Sequence, residues 1–243
     1  MPTLILTPRH SDDTQRLWKA AAARGWSIER LSRWQVPEHL QQAHEPVLYA
    51  EALFGPTLAE QLGISLASPP DDWLVRLPEP YRRRGIRLMS LAEARRLPAP
   101  AFIKPPNDKT FPAQVYAPDA LPQGYDEAMP VLVSDIVHWA CEFRCFIRDR
   151  RLAACSIYSR HGELQKDNGF SCTAGEWSEV HAFIETLLGD ARVDLPVATV
   201  VDVGLIEDRG WAAVEQNAAW GAGIYGCDPD AVLDVLHVAS GHG

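Results

Sequence analysis

Val200-Val-Asp-Val-Gly-Leu-Ile-Glu-Asp-Arg-Gly-Trp-Ala-Ala-Val-Glu-Gln-Asn217 reads as two strands folded about a turn at Asp208-Arg209-Gly210. With Glu207 to Gly210 as a four-residue loop, Asp202 faces Glu215, and Asn217 lies two residues on, on the same face of the sheet. Their Cβ atoms then stand about 5 Å apart, and like charges placed directly opposite destabilise a sheet. A cation between them removes that penalty. The all-oxygen set Asp202, Glu215 and Asn217 suits Mg²⁺, which takes carboxylates together with substrate phosphates. A three-residue loop with a bulge at Gly210 offsets the pair by one, and an exposed acidic hairpin face uses the same residues.

Working outward, Phe102-Ile-Lys-Pro-Pro-Asn-Asp-Lys109 closes a short apolar strand on Lys104 and carries Lys109 beyond a stiff turn. Two ammonium groups on such a turn can meet one anion, and lysine serves phosphate as a point charge; two surface lysines are the plainer reading. Between these segments lies Val131-Leu-Val-Ser-Asp-Ile-Val-His-Trp-Ala-Cys-Glu-Phe-Arg-Cys-Phe-Ile147. Alternation sends Cys141, Phe143, Cys145 and Ile147 to one face, which is core, and Glu142, Arg144, Phe146 and Arg148 to the other. The second set puts a carboxylate beside a guanidinium, suited to a ribose hydroxyl and a phosphate. On the next strand Ser156, Tyr158 and Arg160 alternate on one face, with Arg160 able to hold a carboxylate. The run Tyr81-Arg-Arg-Arg84 reads as a solvated turn or a phosphate contact from across a cleft.

These segments resemble, in order and spacing, the ATP-grasp superfamily. The Gly-free turn after Lys104, together with Tyr49-Ala-Glu-Ala-Leu-Phe54 and Glu142-Phe-Arg144, is similar to its branch named for one arginine and two lysines. The resemblance implies a mixed α/β (α+β) chain with the ATP-grasp fold. A small N-terminal α/β unit would span residues 1–75 and an ATP-grasp module 76–243, split into 76–132 and 133–243. It also implies ATP and Mg²⁺ as cofactors. Lys104, Lys109 and Arg144 would act on the phosphates, and Val133, Ser134, Asp135, Ile136 and Val137 would form the adenine hinge. Glu142 would take the ribose, and Asp202, Glu215 and Asn217 the metal. Trp220 and Gly221, following the metal residues, join Ser156, Tyr158 and Arg160 as candidate substrate contacts. The implied activity is carboxylate–amine ligation through an acylphosphate, with small-molecule or peptide carboxylates and amines as partners. A kinase, or a catalytically quiet nucleotide-binding protein, is the alternative.

Composition bounds the rest. The chain has 243 residues, 47% of them apolar, enough for a real core. Its 23 Lys and Arg against 32 Asp and Glu give a net charge of −9, which argues against a broad nucleic-acid surface. No apolar run approaches a bilayer span, and MPTLILTPRH lacks the character of a signal peptide. Five cysteines without a C-x-x-C pair read as buried thiols in a cytoplasmic protein.

Overall fold

A computed structural model describes residues 1–107 and 110–241. The chain opens with β1 (Thr3–Leu6), α1 (Asp12–Ala23), β2 (Ser27–Arg30), β3 (Pro46–Tyr49) and α2 (Gly55–Leu62). The three strands form a parallel sheet in the order β2-β1-β3. Ser11 caps α1 through a capping box with Thr14, and Gly63 ends α2 at φ 66°, a left-handed turn that favours glycine.

A joint rich in proline leads through α3 (Trp73–Arg76) and α4 (Glu79–Arg82) to β4 (Ile86–Ser90). Then come α5 (Leu91–Ala94), β5 (Ala101–Lys104), β6 (Gln114–Tyr116) and β7 (Pro130–Ser134). The strands pair in the order β4-β7-β5-β6. The predicted capping box at Ser90 and Glu93 is present, but α5 stops at Ala94 rather than Leu97. Pro98 disfavours helical backbone at the residue before it.

The third sheet, ordered β10-β9-β8-β11-β12, comprises β8 (Trp139–Arg148), β9 (Arg151–Arg160), β10 (Glu163–Leu164), β11 (Ala198–Ile206) and β12 (Gly210–Asn217). Between β10 and β11 runs α6 (Ala174–Gly189), and α7 (Pro229–Ala239) follows β12, capped by Asp228 with Pro229 in its first turn. Alternation along β8 holds as read. Cys141, Phe143, Cys145 and Ile147 pack with Val180, Ile184 and Leu187 of α6. On the opposite face, Phe146 and Val200 pack with α7 and with Leu4, Leu6 and Leu17 of the N-terminal unit. That apolar cover stops before Glu142 and Arg144, whose end of the face is left for polar chemistry. All five cysteines are free, three of them buried. Among the described residues no helix is long and apolar enough to cross a membrane.

Candidate active site

The predicted hairpin forms, and Asp202 pairs with Glu215, although by a different route. The turn holds three residues, because Ile206 pairs with Gly210. This would leave the carboxylates out of register, but Val214 is an extra residue in β12, between Ala213, opposite Val203, and Glu215, opposite Asp202. The bulge restores the pair that the shorter turn would have separated.

Around that pair a hydrogen-bonded cluster assembles. Arg144 lies opposite Asp202 on β8 and donates Nε to Oδ1 at 2.9 Å and Nη2 to Oδ2 at 2.6 Å. Its Nη1 donates to the Gly223 carbonyl at 3.0 Å. The guanidinium also lies over the rings of Tyr225 and Tyr158, 4.8 and 5.6 Å from their centroids, and those rings stack on each other. Asn217 Nδ2 donates to Glu215 Oε1 at 2.9 Å and to Asp202 Oδ2 at 3.3 Å. Lys104 closes the cluster: β5 pairs with β7 in the four-stranded sheet, and its last residue reaches Glu215 Oε2 with its ammonium. The two larger sheets therefore meet at these side chains.

Electrostatics divides the two carboxylates. Asp202 has no exposed surface, and burial, aided by Glu215 and Glu142, pushes its carboxyl up to about 6 against the pull of Arg144. Burial opposes the Glu215 charge too, but Lys104 and the Asn217 amide outweigh it and hold that carboxyl at about 2. Arg144 is desolvated as well, yet Asp202 keeps its pKa above the ordinary arginine value. Burial raises Glu142, whose Oε2 accepts from the Tyr158 hydroxyl at 2.8 Å.

No group of three His, Cys, Asp or Glu among the described residues could hold a metal by itself. The side chains that do converge are two carboxylates and the Asn217 amide, which here turns its Nδ2 toward them. Turned over to present Oδ1, the amide would complete an oxygen set that fits a hard cation drawing its other ligands from water or phosphate.

The remaining predicted residues fall at different distances from this cluster. Ser134 to Val137 link β7 to β8. The backbone N–H of Gly85 donates to Asp135 Oδ2 at 2.9 Å, and Arg209 pairs with Asp135 at 3.3 Å, so that side chain anchors this link. Val133 is buried, and Ile136 is exposed. Ser156 faces Arg144 across β8 and β9. Tyr158 is an extra residue in β9, and this bulge turns Arg160 to the other face, where it pairs with Cys141 and donates to Glu176 of α6 at 2.5 and 2.9 Å. The alternation expected for Ser156, Tyr158 and Arg160 is broken there, and Arg160 lies away from the cluster. Trp220 is buried, its ring against Gly55 and its Nε1 donating to the Ala67 carbonyl at 3.0 Å. Gly221 lines a cavity beside the N-terminal sheet. Lys109 lies outside the described residues. Asn107, two residues before it, donates to Pro69 O and Asp71 Oδ1, tying the turn after Lys104 to the proline-rich joint.

Sequence reasoning missed Tyr225 and Arg84. Tyr225 sits in an unpatterned loop and offered no signal. Arg84 is the buried arginine of the run read as a solvated turn or a phosphate contact from across a cleft. It donates Nη1 to Ala213 O at 2.7 Å and Nη2 to Val214 O at 3.1 Å, gripping both carbonyls at the bulge, and it lies 5.0 Å over the Trp139 ring. Burial pulls its pKa down to about 10.

Comparison with solved structures places this geometry. The chain matches D-cycloserine synthetase DcsG with a TM-score of 0.60 at 13% identity, over 98% of both chains. It matches a RimK domain ATP-grasp protein from Sphaerobacter thermophilus with a TM-score of 0.57 at 16% identity, over 99% of both. A D-alanine–D-alanine ligase from Bacillus anthracis, complexed with ATP, gives 0.53 at 14% identity, over 100% of this chain and 99% of that one. These likenesses show the ATP-grasp fold. Curated protein sequences give no match. A family model, the ATP-grasp domain of family 2 in the clade of one arginine and two lysines (the R-two-K clade), matches residues 81–235, which include every residue of the cluster. By that match, this chain belongs to family 2 of the R-two-K clade of ATP-grasp proteins.

Proposed function

We propose that this chain is an ATP- and Mg²⁺-dependent ligase that activates a carboxylate as an acylphosphate for attack by an amine. The observation that carries the reading is the joined cluster of Lys104, Glu215, Asn217, Asp202 and Arg144 where two sheets meet. Such a site holds no protein nucleophile. It positions phosphates and neutralises their charge, which is what phosphoryl transfer asks of a protein. The ligase and synthetase names of the similar structures support the same reading.

In this reading Asp202, Glu215 and Asn217 hold the metal, which supplies Lewis-acid neutralisation of phosphate oxygens. Lys104 and Lys109 meet the phosphates as point charges. Arg144, fixed by Asp202 and the Gly223 carbonyl, faces the transferring group with a preset orientation, and a donor that need not reorganise stabilises developing charge best. The backbone from Val133 to Val137 meets the adenine edge. Glu142, oriented by the Tyr158 hydroxyl, takes a ribose hydroxyl. Ser156 and Tyr158 belong to the wall of the same cleft.

The test is incubation with Mg-ATP and pools of amino acids, polyamines and peptides, reading ADP, phosphate and product mass. A ligase yields ADP, phosphate and an amide. A stable phosphoester would make the protein a kinase, and a thermal shift with ATP but no turnover a binder. Glu215→Gln and Lys104→Ala are each expected to abolish turnover, with the far-ultraviolet circular dichroism spectrum retained. Wild-type turnover in both variants would refute the assignment.

A further inference from the structure

The parallel sheet has the order β2-β1-β3, so the chain leaves β1 toward one neighbour and returns on its other side at β3. In open α/β sheets the crevice beyond the carboxyl ends of two such strands is where ligands settle. Here that crevice is a cavity of about 220 Å³. Thr7 extends β1 into it, Tyr49 and Glu51 come from the end of β3, and Arg9, Ser11 and Asp13 come from the start of α1 and the loop before it.

Three observations give this cavity a purpose. First, Glu51 Oε2 has no accessible surface and no hydrogen-bond partner among the described residues. A buried carboxylate oxygen without a donor is costly, and a donor entering through the cavity that Glu51 lines would relieve it. Second, the cavity adjoins the phosphate cluster. Asp13 Oδ2 accepts from the Ile224 N–H at 3.0 Å, and a Cβ on Gly223 would stand 3.3 Å from Asp13 Oδ2 and 3.7 Å from Arg144 Nη1. One side-chain-free residue thus separates the carboxylate of the cavity from the guanidinium of the cluster. Third, α1 holds that partition in place: Arg16 donates to the carbonyls of Tyr225 and, at 2.6 Å, Cys227.

The wall chemistry selects the ligand. Asp13 and Glu51 offer two carboxylates, Arg9 lies exposed at the edge, and Thr7, Ser11 and Tyr49 add hydroxyls. The volume is below the roughly 300–1,000 Å³ of pockets for drug-sized ligands. We infer that this cavity is the pocket for one of the two substrates, a small amino acid, with its ammonium group toward Glu51 and Asp13 and its carboxylate toward Arg9. The inference rests on the ligase reading for its purpose, but not for its test.

That test is calorimetric titration of the full chain with free amino acids, and with the N-acetyl derivative and decarboxylated amine of each one that binds. At least one free amino acid should bind saturably, and its N-acetyl derivative at least tenfold more weakly. Glu51→Gln should weaken that amino acid at least tenfold. Arg9→Ala, at an exposed position that the fold does not depend on, should weaken the amino acid but leave its decarboxylated amine unchanged. The inference is overturned if no free amino acid binds, if acetylation makes no difference, or if both variants bind the amino acid as wild type does. Binding is read without turnover, so the two readings fail separately. Amino-acid binding that depends on Glu51, with no product from Mg-ATP, keeps the pocket and removes the ligase. Turnover with no Glu51-dependent binding does the reverse.

Discussion

Replacing Arg84 by Met tests whether the register of the Asp202–Glu215 hairpin is held from outside the hairpin. The guanidinium donates to the Ala213 and Val214 carbonyls, and both would be left in a buried setting without that donor. Hydrogen bonds from a charged donor contribute about 1.5–3 kcal/mol each, so the loss is about 3–6 kcal/mol. Against this, the variant no longer buries a charge. An arginine held at about 10 instead of 12.5 marks about 3 kcal/mol of burial cost. The net is about 1–2 kcal/mol, which should lower the urea midpoint by about 0.5–1 M. Activity should fall further than stability does. Without the bulge, the three-residue turn would set Asp202 opposite Val214 and send Glu215 to the other face of the sheet. The assay pairs urea unfolding with the thermal shift given by Mg-ATP. An Arg84→Met protein with the wild-type midpoint and the wild-type nucleotide response would refute this account of the bulge.

Other consequences can be measured as simply. Glu176 is held at about 2 by Arg160 and by the Thr173 cap, below its ordinary 4.5. Its contribution, at most about 3 kcal/mol, is therefore complete above about pH 4.5 and lost as pH falls toward 2. Wild type and Glu176→Gln should differ in urea midpoint at pH 6 and converge near pH 2; a gap that does not change with pH would contradict this. Gly204 is hemmed in by Trp139 and by the Cys141 carbonyl, 2.6 and 2.8 Å from where a Cβ would stand. Gly204→Ala should thus cost about 1–3 kcal/mol, seen as a fall of several degrees in Tm, and an unchanged Tm would show that the strand yields freely.

What could be read from sequence was what strand periodicity and residue order encode. Alternation along β8 correctly separated the face packed under α6 from the face that carries Glu142 and Arg144, and Asp202 and Glu215 were correctly paired. That pairing came from two one-residue departures that cancel: a turn shorter than supposed, and a bulge at Val214. The bulge is gripped by Arg84, about 130 residues earlier, and nothing local announces it. The same cause misplaced Arg160. A period of two carries it to the face of Tyr158, but one extra residue in β9 reverses every side chain beyond it. Arg84 itself fell in a run read as a solvated turn or a phosphate contact, since three successive arginines are normally exposed, and neither reading placed it under the hairpin. Its burial depends on carbonyls that only the assembled hairpin presents. Tyr225 and the cavity beside β1 and β3 depend likewise on packing between distant segments.

The central claim is that a carboxylate is activated as an acylphosphate by ATP held at the Lys104, Asp202 and Glu215 cluster. It is tested most directly with a substrate whose carboxylate carries oxygen-18, followed by mass analysis of the phosphate released. The account predicts one labelled oxygen in the phosphate for each amide formed. Amide formation with unlabelled phosphate would contradict it.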